Sequence, residues 1–354
     1  MPDDKYVGMD VHQASCVIEV LNSAGKTTMR TIIETKEKTI RDFVRGLRGT
    51  VHITFEEGTQ AAWLYDVIRP HVHRVVVCDP RQNKLLLSGN KNDRVDANKL
   101  AQLLKGGLVK AVYHGEKSTK GLKEMSHVYE RLTADCTRVK NRIKAMYRGC
   151  GISCPGAGVY SISQRKEWLA QLKAPGTGLR ADLLHRELDQ LKPLKQEALR
   201  EMLKEARKQR VFKLLKSIPG LGPVKVALLI AAGVTPHRFR SKRQWWSYSG
   251  LSVVTRGSAQ YGFETGRLVK RPKALATRGL NTNYNRTIKH VFKSAAIYAI
   301  RTEPFKSYHE GLIQRGLSRE IARVCVSRKL AAVTLAVWKR EVAFDVKRLS
   351  NDRI

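Results

Sequence analysis

Apolar residues in the first third of the chain fall into short alternating or unbroken runs. Tyr6 to Asp10 and Ser15 to Asn22 read as two strands, a turn follows at Ser23 to Lys26, and Thr28 to Ile33 continues as a third. The chain thus opens on a β-meander. Lys38 to Leu47 then takes helical spacing, Val51 to Phe55 alternates as a strand, Thr59 to Ile68 is helical, and Arg74 to Cys78 reads as a buried strand. The run RVDANKLAQLL, residues 94–104, predicts a further helix. Beyond residue 117 the pattern becomes helical: Lys117 to Arg148 and Ser163 to Lys216 predict long helices, interrupted by Gly/Pro-rich stretches at Gly149 to Gly158 and Ala174 to Gly178. Residues 217–234, SIPGLGPVKVALLIAAGV, place a Gly-apolar-Gly turn before an apolar helix. A Gly/Arg/Lys-rich loop to about Gly279 precedes two last helical segments, Asn283 to Arg301 and Ser318 to Val342.

The order β-β-β-α-β-α-β-α is that of the ribonuclease H-like α/β fold, although other mixed-sheet domains share it. The helical stretch after residue 117 suits an antiparallel hairpin or coiled-coil-like arm. A length of 354 residues predicts two or three domains, and 42% apolar content suffices for real cores. No run approaches the roughly 18–20 apolar residues of a spanning helix, and MPDDKYVGMD lacks signal-peptide architecture, so a soluble cytoplasmic protein is expected. The cysteines, 16, 78, 136, 150, 154 and 325, are scattered and read as reduced structural thiols rather than a zinc site.

Charge changes the picture more. The net charge is +35, of which residues 1–100 carry only +2. Residues 211–300 hold 16 Lys/Arg and one acid, Glu264. Such a surface meets a polyanion, and nucleic acid fits better than membrane. The turn at Gly220 and Gly222 has the form of a helix-hairpin-helix clamp, whose backbone N–H groups face a phosphate oxygen, with Lys225 close behind. A plain helix-capping turn would also show Pro and Gly.

The less basic first hundred residues keep carboxylates at chosen places. Asp10 and Glu56 end strands, and Asp93 and Asp96 stand three apart at a helix start, where Cβ atoms lie roughly 5–6 Å from each other. Four such acids suit one or two Mg²⁺ ions, which prefer oxygen ligands. Singly, each has an ordinary explanation as a turn residue, an N-cap, a first-turn acid or a surface charge. Jointly, in so basic a chain, they point to a metal centre. Glu57 competes with Glu56, which continues the strand alternation directly.

Several segments carry a resemblance: YVGMDVHQ, FEEGTQAAWLYDVIRPHV, VVCDPRQNKLLLSGNKNDRVDANKLAQLL, SIPGLGP, YSGLSVVTRGSAQY and RGLNTNYNRTIKHVFKSAA. Over nearly its whole length the chain resembles the DEDD-type insertion-sequence transposases, the bridge-RNA- or seeker-RNA-guided recombinases. The resemblance implies a RuvC-like domain at 1–112, a helical coiled-coil arm at 113–210 and a mainly helical transposase domain at 211–345. It implies an acidic tetrad of Asp10, Glu56, Asp93 and Asp96 holding Mg²⁺, and a nucleophilic serine at Ser258. Ser241, Ser247, Ser249, Ser252 and Ser294 compete on the sequence alone. Ser258 follows Arg256 in a cationic loop where a phosphodiester could approach, and Arg256 would neutralise charge on the reacting phosphate. The implied partners are target and donor DNA, an element-encoded structured noncoding RNA, and further copies of the chain in a dimer or tetramer, with tetrad and serine drawn from different protomers. The expected location is the bacterial cytoplasm, at the nucleoid when active.

Two rival readings remain at this point. One is a metal-dependent RuvC-like junction-resolving nuclease that uses water as its nucleophile; the other is a non-catalytic nucleic-acid-binding protein whose acids are caps and surface charges.

Overall fold

The structure is a computed structural model, which describes residues 4–81, 93–114, 119–256, 260–271 and 276–347. It divides into two compact units, residues 1–115 and 116–354.

The first unit is a mixed α/β sheet built from β1 (Asp4–Val11), β2 (Ser15–Leu21), β3 (Thr27–Glu34), α1 (Glu37–Gly46), β4 (Thr50–Glu56), α2 (Ala61–Ile68), β5 (Arg74–Cys78), α3 (Asp93–Lys105) and β6 (Ala111–Val112). The sheet order is β3-β2-β1-β4-β5-β6. The first three strands are antiparallel, as their short connections require, whereas β1, β4 and β5 are parallel, with helices in the crossovers. Strand alternation sorts the side chains. Val7, Met9, Ile53 and Phe55 join Ile40 of α1 and Leu64 of α2 in one core. Tyr6 and His52 stack on the opposite face, their rings 5.2 Å apart. On that face α3 presses directly on β1: a Cβ at Gly8 would collide with the Ala97 carbonyl oxygen.

The second unit is mainly helical: α4 (Lys120–Gly149), α5 (Arg165–Ala170), α6 (Thr177–Arg207), α7 (Val211–Lys216), α8 (Pro223–Gly233), α9 (Lys242–Tyr248), then β7 (Val253–Arg256), β8 (Gln260–Glu264), β9 (Arg267–Arg271) and β10 (Ala276–Leu280), and finally α10 (Arg286–Ala299), α11 (Phe305–Gln314) and α12 (Arg319–Arg340). α4 and α6 run antiparallel, because Leu122 near the start of α4 clusters with Met202 and Ala206 near the end of α6, and Tyr147 with Ala181. α8 is buried on every side from Val226 to Ala231, and α12 is buried over most of its length.

The stretch expected to be a loop up to Gly279 differs. It holds two antiparallel ribbons, β7 with β10 and β8 with β9. Thr265 and Gly266 both take positive φ between β8 and β9, the backbone of a tight hairpin turn. Residues 265–269, the turn and the start of β9, are exposed, so nothing there enforces hydrophobic alternation. α11 was likewise not expected.

Candidate metal centre

Asp10 lies near the end of β1 with its side chain on the α3 face, two residues beyond Gly8, by the alternation already described. α3 begins at Asp93, so Asp93 and Asp96 occupy its first turn, where the unpaired N–H groups favour negative charge. The close seat of α3 on Gly8 therefore brings two acids of one element to the end of another.

The turn between β1 and β2 adds a group that the sequence reading passed over. The Nε2 of His12 lies 3.4 Å from Oδ2 of Asp10 and 3.4 Å from Oδ2 of Asp93. Donor atoms of Asp10, His12 and Asp93 all fall within 4.8 Å of one another. The signal was in YVGMDVHQ, where a histidine stands two residues after the strand-end aspartate, but its second partner is 81 residues away.

Burial pushes the Asp10 carboxyl above the usual carboxylate range; His12 opposes this, and the charges of Asp93 and Asp96 add to it. Oδ1 of Asp96 is buried and accepts no hydrogen bond, with the Lys99 ammonium 3.7 Å away. Crowded acids, one of them with an unsatisfied oxygen, fit a hard divalent cation, which would relieve the repulsion and take up the lone pairs.

Strand register places Glu56 beside Asp10: the last matched pair is Met9 with Phe55, and each acid follows directly on the same face. Glu56 lies outside the trio of donors and lines an adjoining cleft of about 390 Å³ with Val11, Gln13 and Thr59. Glu57 is engaged elsewhere, its Oε2 lying 2.5 Å from Nε2 of His114.

In the second unit, Gly220 has φ of +84°, and a Cβ there would meet the Ala295 carbonyl oxygen at 2.5 Å. Gly222 caps α8 ahead of Pro223. Lys225 turns inward: its Nζ donates to the Gly220 carbonyl at 3.0 Å and sits 4.4 Å from the centre of the Tyr298 ring, and burial lowers its pKa. The ammonium braces the turn from within. Arg256 ends β7, and Ser258 lies outside the described residues. Three competing serines have structural employment: Ser241 caps α9, the buried Ser249 donates to the Trp245 carbonyl, and Ser294 donates to that of Val291. Among the described residues, no helix is long and apolar enough to cross a membrane.

Comparison with known families gives two matches. Residues 7–151 match the DEDD transposase model of the IS110 type, and residues 212–310 match the family described as Transposase IS116/IS110/IS902. No curated protein matches the chain. A transposase acts on DNA, and the DEDD type suggests use of a divalent metal. The chain is thus similar over these two stretches to transposases of the IS110 type, and the matches support a transposase or DNA recombinase activity.

Proposed function

We propose that this chain is the RNA-guided recombinase of an insertion sequence, cutting and rejoining target and donor DNA through a covalent phosphoserine. The observation that carries the reading is the convergence of Asp10, Asp93 and Asp96 at the sheet end of a unit that matches a DEDD transposase. The sheet order and the strand-end acids support a RuvC-like fold for that unit.

Asp10, Asp93, Asp96 and Glu56 would hold Mg²⁺, which when bound draws charge from the scissile phosphate. Ser258 would attack phosphorus through Oγ, forming the Oγ–P bond as the P–O3′ bond breaks. Its proton passes to a carboxylate, which hands it on to the departing O3′, so that this oxygen leaves as a free 3′-hydroxyl. The 3′-hydroxyl of the exchanged strand then attacks the phosphoserine and restores the serine. Each step exchanges one phosphodiester for another, so neither water nor external energy is consumed. Arg256 would offset charge on the pentavalent phosphorus, and the N–H groups at the Gly220–Gly222 turn would hold the DNA backbone. Sequence choice is left to pairing with a structured RNA, for which the basic second unit offers a backbone-binding surface. Assembly as a dimer or tetramer belongs to the same reading.

Trapping tests it. Protein, element-derived RNA, Mg²⁺ and labelled DNA are incubated and denatured, beside Ser258→Ala and Asp10→Ala. A protein–DNA adduct in the wild type that both variants lose is the expected result. Cleavage without an adduct, indifferent to Ser258→Ala and abolished by Asp10→Ala, would instead identify a water-using nuclease. Omitting the RNA should remove target choice.

A further inference from the structure

We propose that His12 is itself a metal ligand, so that Asp10, His12 and Asp93 form a mixed oxygen–nitrogen site that holds Mn²⁺ more tightly than Mg²⁺. The inference rests on the metal reading of the acidic centre and adds a donor outside the four acids.

Spacing is the first argument. Donors about 2.1 Å from one ion stand roughly 3.0 Å apart at right angles and 3.4 Å apart at the tetrahedral angle. The Nε2 of His12 is 3.4 Å from an oxygen of each aspartate, the tetrahedral spacing, and the three donor atoms lie within 4.8 Å of one another. Both aspartates present Oδ2 to the ring while Asp96 adds negative charge beside them, and the same Nε2 serves both.

Pre-organisation is the second. The His12 backbone N–H donates to the Ser15 carbonyl at 2.9 Å, and its own carbonyl accepts from Oγ1 of Thr35 at 2.9 Å. The Thr35 N–H in turn donates to the Ala14 carbonyl at 3.0 Å. The turn is thereby tied to the residue that follows β3, and the imidazole is presented from a fixed backbone. A ligand held this way loses little conformational freedom when it binds.

Donor chemistry then sets the metal. Mg²⁺ takes oxygen almost exclusively, whereas an imidazole nitrogen favours transition metals. Replacing one oxygen donor by His12 therefore shifts preference toward Mn²⁺ without excluding Mg²⁺. An imidazolium bridging two carboxylates would give similar distances, but it has no lone pair for a metal.

Electron spin-echo modulation of Mn²⁺ bound to the full-length protein separates the two. A directly coordinated ¹⁴N in the wild type is expected, with loss of that signal and about tenfold weaker Mn²⁺ binding in His12→Gln, as for loss of one ligand. Mg²⁺ affinity, measured by competition, should change less than about twofold. Mn²⁺ bound without ¹⁴N coupling, or with coupling that survives His12→Gln, overturns the role of His12 and leaves the carboxylate centre standing. If Mn²⁺ does not bind the wild type at all, the metal reading falls with it. Circular dichroism of His12→Gln confirms that the variant folds.

Discussion

Glu19 of β2 and Asp10 of β1 face the same helix, α3, from neighbouring strands, yet their surroundings differ in kind. Glu19 is 2% exposed and its carboxylate accepts from Thr27 Oγ1 at 2.5 Å, Arg30 Nε at 2.7 Å and Asn98 Nδ2 of α3 at 2.9 Å. Burial alone would raise its pKa, but these donors outweigh burial and hold it below the usual carboxylate range. Asp10 meets more acids and one imidazole, and its pKa is raised. The middle of the helix, at Asn98, seats on a satisfied charge, and its first turn leaves charge unsatisfied. Fully hydrogen-bonded buried charge belongs to the scaffold, whereas crowded, undercompensated charge marks the place where a cation or a reaction is awaited.

The contrast depends on α3 lying close to β1, so the largest effect comes from pushing them apart. Gly8→Ala puts a Cβ against the Ala97 carbonyl oxygen and 2.6 Å from the Ala101 nitrogen. Both are backbone atoms of a helix and cannot step aside cheaply. A destabilisation of about 3 kcal/mol is expected, at the upper end for overpacking. Hydrogen exchange of β1 and α3 in the intact chain measures it, and wild-type protection in Gly8→Ala would refute the close seat.

Next in size is Glu19→Ala, which strips the partner from Asn98 and Thr27 in a sealed site. About 2–3 kcal/mol should be lost, the range for hydrogen bonds to a buried charge, and about half of that in Glu19→Gln, which keeps an acceptor. Denaturant unfolding checks both. Equal stability of the two variants would show that the charge contributes nothing beyond shape.

These positions also show what can be read from the chain. The strands of the first unit were legible because one face of each is buried in a single core, which enforces alternation at Val7 and Met9, and at Ile53 and Phe55. In SCVIEVL the same alternation makes Glu19 look like a solvent-facing position. It is buried because α3 covers that face, and its partner Asn98 lies 79 residues away. Asp10, Asp93 and Asp96 stood out because strand ends and helix starts are local features. His12 did not, since its meaning depends on Asp93, across four strands and two helices. The turn and strand residues from Thr265 to Val269 were hidden for the opposite reason: they are exposed, as Leu268 is, so no core imposes a pattern on them.

The smallest effect is the most discriminating, because it has the opposite sign. Asp10→Asn removes a carboxylate that the fold disfavours, so in a chelator at neutral pH the variant should equal or exceed the wild type. The gain is no more than about 1 kcal/mol, because solvent and salt screen a partly exposed group. Its pH dependence follows from the raised pKa. As pH falls from neutral toward about 3.9, the unfolded value, wild-type Asp10 takes up its proton in the folded state first, and the advantage of Asn should shrink to nothing. Glu19, with its lowered pKa, behaves in reverse: the stability it contributes is present above about 4.3 and is lost as pH falls further, so the penalty of Glu19→Gln fades only there. Adding Mn²⁺ in place of chelator should invert the order at neutral pH, raising the melting temperature of the wild type and leaving Asp10→Asn where it was, since only a protein that binds the ion is stabilised by it. A loss of stability in chelated Asp10→Asn would mean that Asp10, like Glu19, is held by partners, and that the first turn and the middle of α3 do the same job.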